Sequence, residues 1–177
     1  IMREKYDAAI DGNPEFVWSG KLGADKRIFG VEVLGAGFKK YHEDQFLNDI
    51  SSAYFNGRIE CLLTLGGKID YVADNIGSGE GWHRDGNHFQ FKAIVYLSDV
   101  GVDSGPFQVI EGSHHFQRVI IDNIKMGAEP LAHRYSDAQI DKILQKTPEK
   151  LRTFTANMGT VILVDTSVLH RGCPIAT

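Results

Sequence analysis

Short apolar runs separated by glycine-containing turns make up most of the chain from about residue 59 onward. Runs rich in β-branched and aromatic residues and bounded by turn residues are typical of β-strands. We therefore predict strands at about 59–65, 69–75, 89–97, 106–110, 152–156 and 160–165. The run 92–97 is apolar on nearly both faces, which predicts a central strand. This succession of short strands indicates a sandwich or a barrel.

The part of the chain before residue 59 is less regular. Residues 43–55 predict an amphipathic helix that supports a larger body and ends at Gly57. The apolar positions of this helix recur at helical spacing, at Phe46, Leu47, Ile50 and Tyr54. The short apolar run 28–34 is expected to form an edge strand.

A second helical segment interrupts the predicted strands, as an insert at about 122–150. Ser136 and Gln139 have the spacing of a capping box, in which each side chain bonds the backbone of the other residue. The apolar stripe of a short helix then follows, at Ile140, Ile143 and Leu144. We therefore expect a mainly β fold with flanking helices.

The 177 residues are expected to form a single domain, 1–177. Within it, residues 1–58 would be a partly helical support, and residues 59–177 would be the β core. The net charge of −4 and the lack of a Lys/Arg cluster give no electrostatic reason to expect a nucleic-acid partner. No apolar run is long enough for a membrane span.

Two cysteines, Cys61 and Cys173, are too few for a disulfide framework. They are expected to be reduced, buried thiols, which favours a cytoplasmic setting. The sequence does not specify the oligomeric state.

Candidate chemistry lies in the segment Trp82-His83-Arg84-Asp85. In an extended chain, residues two apart project from the same face, so His83 and Asp85 can point at one spot while Arg84 points away. An imidazole and a carboxylate are two members of the facial triad that holds non-haem Fe(II). The third would be His170, which follows the apolar run 161–164. An isolated His-x-Asp arises often by chance, so the distal histidine and the motifs around it matter.

Three ordered motifs, WHRDG, SGPFQVIEGSHH and GTVILVDTSVLHRGCP, make the chain resemble the phytanoyl-CoA dioxygenase family of Fe(II)/2-oxoglutarate-dependent oxygenases. The resemblance covers roughly residues 69–176. It implies a double-stranded β-helix (jelly-roll, cupin-like) core with the metal near one end. By motif position, His83, Asp85 and His170 would be the iron ligands and the catalytic residues.

The resemblance also implies the reaction. With Fe(II), 2-oxoglutarate and O2, such an enzyme hydroxylates a C–H bond of a small molecule and forms succinate and CO2. Similar halogenases have a small residue at the position of Asp85. The carboxylate present here therefore makes the chain resemble the hydroxylases of this group. The motifs do not specify the substrate.

A cation must bind the far carboxylate of 2-oxoglutarate, and in relatives it is an arginine on the strand after the distal histidine. That position lies beyond Thr177, so we expect the C-terminal end to be incomplete. Within the chain, Lys92 lies in an apolar strand, where a buried ammonium needs a partner unless it reaches the barrel edge. Lys68 matches a lysine of some relatives but would also suit solvated surface. Arg171 is a further candidate, although strand alternation turns it away from His170 and favours a structural or substrate-side role.

The remaining aromatic and histidine residues have weaker assignments. Trp82 and Phe89 flank the ligands and are expected to form dry walls of the site. His88 would line the pocket mouth or lie in a loop, and His114 would hold the Gly-Ser-His turn. Two alternatives stay open: a cupin-like metalloprotein that does not use 2-oxoglutarate, and a non-catalytic binding domain on the same scaffold.

Overall fold

The computed structural model describes residues 2–176. They form two compact units, one extending to Asp70 and the other beginning at Tyr71. The single oxygenase domain expected from the sequence stays a prediction. Within the described residues, no helix has both the length and the apolar character that a bilayer span requires.

The first unit combines three helices with a small antiparallel sheet. Its helices are α1 (Met2–Gly12), α2 (Ala36–His42) and α3 (Gln45–Phe55), and its strands are β1 (Trp18–Ser19), β2 (Asp25–Phe29) and β3 (Leu65–Ile69). Short 3₁₀ helices span Pro14–Phe16 and Val31–Leu34. The strand order is β1-β2-β3. Tyr6 packs closely against this sheet, because a Cβ added at Gly66 would lie 2.2 Å from its ring.

The helix predicted at 43–55 is confirmed as α3, and the Asp44 side chain caps it by accepting from the backbone N–H of Leu47 at 3.0 Å. The strand expected at 28–34 is wrong beyond Phe29, because Gly30 adopts φ 76° and turns the chain into a 3₁₀ helix. Strands expected at 59–65 and 69–75 are also wrong: one strand, β3, overlaps the end of the first and the start of the second. The apolar residues just before β3 are not all buried, since Leu62 is 95% exposed.

The second unit contains two antiparallel sheets and two helices. The larger sheet consists of β4 (Trp82–His83), β6 (Phe107–Ile110), β7 (Arg134–Tyr135), β8 (Leu151–Phe154) and β10 (His170–Gly172), in the order β7-β4-β10-β6-β8. The smaller sheet pairs β5 (Phe91–Val95) with β9 (Val161–Asp165). The helices are α4 (Phe116–Met126) and α5 (Asp137–Leu144), and a 3₁₀ turn spans Pro148–Lys150.

The larger sheet buries a different cluster on each face. On one face, helices α4 and α5 cover a core formed by Trp82, Ile110, Met126, Tyr135, Ile140, Ile143 and Leu169. On the other face, the smaller sheet contributes to a second core formed by Phe107, Val109, Ile162 and Val168, with Ile94, Tyr96 and Val164 packed against it. The result is a strand-rich unit with flanking helices, compatible with a β-sandwich.

The four strands predicted after residue 88 are confirmed as β5, β6, β8 and β9, with ends that differ by at most two residues. The central position predicted for the run 92–97 is wrong. Among residues 2–176, β5 pairs only with β9, and all five of its residues are half-buried. The apolar residues on both faces of β5 therefore do not indicate a hydrogen-bonded strand on each side of it.

The helical insert is confirmed in part. Helix α5 begins with the predicted capping box between Ser136 and Gln139. Helix α4 was not predicted, because its buried face includes the polar residues Asp122 and Asn123, whereas Ile120 and Ile124 are exposed. The insert also contains the short strand β7.

Arg84 holds the segment between two of the candidate ligands in place. Its side chain is 2% exposed, and Nη1 donates to the carbonyl oxygens of Ser113 at 2.6 Å and Ser167 at 2.7 Å. Ser167 belongs to the turn that leads into β10. One guanidinium nitrogen thus joins the His-x-Asp segment to the segment that carries the distal histidine.

We expect Arg84→Gln to lower the free energy of unfolding by about 2–4 kcal/mol, because it leaves two buried carbonyls without charged donors. Urea denaturation measures this change. Arg58→Gln is the control, since its guanidinium is 89% exposed and the expected loss is within about 0.5 kcal/mol. Equal losses in the two variants would contradict the role given to Arg84.

Candidate metal centre

The pairing of β4 with β10 places two histidines side by side. His83 and His170 are direct register partners in this antiparallel pair, so their side chains share one face. Their ring centroids are 4.2 Å apart. Asp85 reaches the same place from two residues further along, where its backbone N–H donates to the Thr166 carbonyl at 3.0 Å.

The atoms that could bind a metal converge on one point. Asp85 Oδ1 lies 3.6 Å from His83 Nε2, and Asp85 Oδ2 lies 3.7 Å from His170 Nε2. One candidate ligand atom from each residue lies within 4.8 Å of the others. Ligands at right angles around a metal, each about 2.1 Å from it, are about 3 Å apart, so the three side chains would move closer together around an ion. The three side chains could therefore hold a metal ion.

Backbone carbonyls fix the tautomer of both histidines. His83 Nδ1 lies 2.8 Å from the Gly81 oxygen, and His170 Nδ1 lies 2.9 Å from the Val168 oxygen. Because a carbonyl oxygen only accepts, Nδ1 must carry the proton in each hydrogen bond. Each neutral ring therefore presents the lone pair of Nε2, as a metal ligand must.

The protonation states also suit a cation. Burial, together with the nearby His83, lowers the pKa of His170 to about 4. Burial alone would raise the pKa of Asp85, but the hydrogen bond and charge of Lys92 outweigh it, so this pKa lies below its usual value. At neutral pH the site therefore presents a neutral His170 and an ionised Asp85, the forms that bind metal.

Lys92 contacts one of the candidate ligands directly. Its Nζ donates to Asp85 Oδ2 at 2.6 Å, and its side chain is 42% exposed. The sequence left open whether this lysine would be buried with a partner or reach the barrel edge, and the structure shows a part-exposed side chain paired with Asp85. Contact between Lys92 and 2-oxoglutarate stays a prediction.

The other two cofactor candidates have structural partners. Lys68 lies on β3 in the first unit, where its Nζ is 3.0 Å from Asp7 Oδ1. Arg171 points to the opposite face of β10 from His170. Its guanidinium stacks on the Trp82 ring at 4.6 Å and bonds Gln108 and Asp137. These contacts fit the structural role foreseen for Arg171, and a cofactor contact for either residue stays a prediction.

The dry walls expected from Trp82 and Phe89 are wrong. Trp82 precedes His83 in a strand and therefore points to the opposite face, into the helix-side core, and Phe89 is 63% exposed. Phe107 lies beside the site instead, with its ring centroid 5.5 Å from that of His170. The sequence did not indicate Phe107, because its position depends on the pairing of β6 with β10.

Two further histidines received tentative roles from the sequence. His88 is exposed. His114 stacks on His115, with ring centroids 4.1 Å apart. Burial, followed by the charge of His115, lowers the pKa of His114. That His88 lines the pocket mouth, and that His114 holds the Gly-Ser-His turn, both stay predictions.

A glycine loop covers His83. Gly79 has φ +78°, and a Cβ added there would lie 2.2 Å from His83 Cε1 and 2.9 Å from Nε2. These contacts are too close for any side chain. The glycines before the His-x-Asp motif therefore allow the backbone to approach the imidazole on its ligand side.

The fold and the site together define a class: a strand-rich protein, compatible with a β-sandwich, whose two histidines and one carboxylate on one face could hold a metal. The family model described as phytanoyl-CoA dioxygenase (PhyH) matches residues 37–177. The chain therefore belongs to the phytanoyl-CoA dioxygenase family, a group of oxygenases that in general depend on Fe(II) and 2-oxoglutarate. No curated protein matches it.

We expect Gly79→Ala to weaken Fe(II) binding by about tenfold or more, because the added methyl displaces the His83 imidazole. Anaerobic calorimetric titration measures the affinity. Gly159→Ala is the matched control, since Gly159 has φ +90° but no atom within 4 Å of an added Cβ. Backbone strain is therefore similar in the two variants, and an equal effect on Fe(II) affinity would contradict this role for Gly79.

The metal-free protein should lose stability as pH falls from about 6.5 to about 4. His170 in the folded protein has a pKa of about 4 against about 6.5 when unfolded, so in this window the unfolded chain binds the extra proton. The full shift corresponds to about 3 kcal/mol. Urea unfolding at several pH values should show a shallower slope in His170→Gln than in the wild type, and parallel slopes would contradict this origin.

Proposed function

We propose that the protein is an Fe(II)- and 2-oxoglutarate-dependent dioxygenase that hydroxylates a C–H bond of a small molecule, with succinate and CO2 as co-products. One observation carries the proposal: His83, Asp85 and His170 offer metal-binding atoms within 4.8 Å of one another. Family membership supplies the link from that cluster to oxygenase chemistry.

The strand pairing supports a double-stranded β-helix for the second unit. β4 pairs with β10, β5 with β9, and β6 with β8. The earliest strand thus pairs with the latest, and the pairs nest inward along the chain. A chain folded back on itself in this way and wrapped into two facing sheets has the topology of a jelly roll. We propose this topology as the finer description of the sandwich.

The residues of the chain have separable tasks in the proposed reaction. His83, Asp85 and His170 would hold the ion on one face and leave positions free for other ligands. A bound ferrous ion, with 2-oxoglutarate and O2, supplies the oxidising chemistry. The Gly81 and Val168 carbonyls hold the two imidazoles in the ligating tautomer.

Lys92 and Phe107 complete the surroundings of the proposed ligands. Lys92 orients Asp85 and keeps it ionised. Of the three cofactor candidates, Lys92 lies against a ligand, so we favour it over Lys68 and Arg171 for contact with 2-oxoglutarate. The core that contains Phe107 and Val109 keeps water away from the His170 side of the site.

We further propose a small-molecule substrate, no nucleic-acid or membrane partner, and a cytoplasmic setting. The net charge of −4 supports the absence of nucleic-acid binding. Both cysteines are free, which supports a reducing compartment. They are not the buried thiols expected from the sequence, because Cys61 is exposed and Cys173 is half-buried.

Anaerobic titration with Fe(II), with and without 2-oxoglutarate, tests the proposal. We expect a weak visible charge-transfer band only when both are present, and succinate after O2 is admitted. Metal binding without this band would favour the cupin-like alternative, and absence of metal binding would favour a binding domain.

His83→Ala and Asp85→Ala should abolish succinate formation while leaving the far-ultraviolet circular dichroism close to that of the wild type. Each variant removes one of the three proposed ligands. His115→Ala is the control, because this exposed histidine lies outside the cluster, and it should form succinate at the wild-type rate. Unchanged succinate formation in either ligand variant would show that the iron is bound elsewhere.

A further inference from the structure

An arginine that the sequence did not single out lies next to the metal centre. Arg134 on β7 is the direct register partner of His83 on β4. Directly opposed residues of an antiparallel pair share one face of the sheet. The next pair along, Trp82 with Tyr135, enters the helix-side core, so Arg134 and His83 project to the other face. The Arg134 side chain therefore extends on the same side as the three candidate ligands.

The Arg134 guanidinium is held beside His83. Its Nη1 donates to the Gly79 carbonyl at 2.6 Å. Gly79 packs against the His83 imidazole, where an added Cβ would lie 2.9 Å from the ligating Nε2. A single backbone residue thus separates the guanidinium from a metal ligand, and this hydrogen bond restrains a side chain that is otherwise exposed to solvent.

Arg134 differs from the other arginines of the second unit in its partners. Arg118, Arg152 and Arg171 each pair with a carboxylate, and Arg84 is buried among carbonyls. Across residues 2–176, no carboxylate lies within ion-pair distance of Arg134. A guanidinium has five N–H donors, and the bond to Gly79 engages one of them. The Arg134 guanidinium therefore has donors available to bind an anion through two parallel hydrogen bonds.

We propose that Arg134 binds a carboxylate of a ligand held at the metal centre. The inference rests on the proposed function, because it needs a ligand at the ion. Two sources share this chemistry: the far carboxylate of 2-oxoglutarate, and an acid group of the substrate that is hydroxylated. In both cases the restrained guanidinium loses little conformational entropy on binding, and it fixes how the ligand lies across the site.

Arg152 provides a matched control. It lies in the same row of register partners, which runs Arg134, His83, His170, Val109 and Arg152 across the five strands. Three strand spacings of about 4.8 Å separate its backbone from that of His83, and it pairs with Glu111 at 2.8 Å. Arg152→Gln thus removes an arginine from the same sheet without touching the site.

The first arm of the test uses 2-oxoglutarate as the probe. Anaerobic calorimetry with the Fe(II)-loaded wild type, Arg134→Gln, Arg134→Lys and Arg152→Gln measures its affinity, and pyruvate serves as a keto acid without the far carboxylate. If 2-oxoglutarate is the source, Arg134→Gln weakens its binding by about tenfold or more and Arg134→Lys by less. Pyruvate binding and the Arg152→Gln variant stay unchanged.

The second arm applies if 2-oxoglutarate binds all four proteins equally. Thermal-shift measurements on protein loaded with Mn(II) and 2-oxoglutarate then compare a set of metabolite carboxylic acids with their neutral amides. If the substrate is the source, acids stabilise the wild type and Arg152→Gln more than their amides do, and Arg134→Gln loses this preference.

Two outcomes overturn the inference. One is equal behaviour of Arg134→Gln and Arg152→Gln in both arms, and the other is a wild type that shows no preference for acids over amides after equal 2-oxoglutarate binding. Failure of the proposed function is distinct from both. It would appear as a wild type that binds Fe(II) but neither 2-oxoglutarate nor pyruvate.

Discussion

The antiparallel pairing of β4 with β10 is the constraint on which the site depends. It sets His83 directly opposite His170, although 86 residues separate them in the chain, from 84 through 169. Register matters because a slip of one residue would turn one imidazole to the opposite face. Arg84 stabilises this strand pairing by donating hydrogen bonds to the carbonyls of Ser113 and Ser167. A buried guanidinium on one face of the sheet thus supports the candidate metal site on the other.

The electrostatics of the site follow from burial and from one ion pair. Burial keeps His170 neutral, whereas the Lys92 ammonium keeps Asp85 ionised against the cost of its own burial. The carboxylate is thereby paired before any metal binds, and its position is fixed at the same time. A second cation, Arg134, is the register partner of His83, and no carboxylate among residues 2–176 lies within ion-pair distance of it. Lys92 is thus already paired with a candidate ligand, whereas the guanidinium of Arg134 carries a charge suited to an anionic ligand.

The sequence predicted what short-range geometry and strand patterns control. His83 and Asp85 could be paired because residues two apart share a face, and His170 could be added because it follows an apolar strand. Helix α5 was predicted correctly from its capping box. Helix α4 was missed because it buries Asp122 and exposes its isoleucines, so the order of its apolar and polar residues does not show which face is buried. Trp82 was misassigned because proximity in sequence was given more weight than strand alternation.

The features that were missed at the site depend on contacts between distant segments. Phe107 and Arg134 reach it through the pairing of β6 with β10 and of β7 with β4. Gly79 covers His83 because a loop folds back over it. Strand registers of this kind leave no local trace in the sequence. The sequence could foresee a partner for Lys92 only if the side chain were buried, and the pairing with Asp85 depends on the fold.

X-ray absorption spectroscopy of the Fe(II)-loaded protein tests most directly whether His83 and His170 bind one ion. The expected result is two imidazole ligands in the wild type and one in each of His83→Ala and His170→Ala, with the remaining shell made of oxygen donors. A wild-type spectrum with fewer than two imidazoles, or with two that persist in either variant, would contradict it.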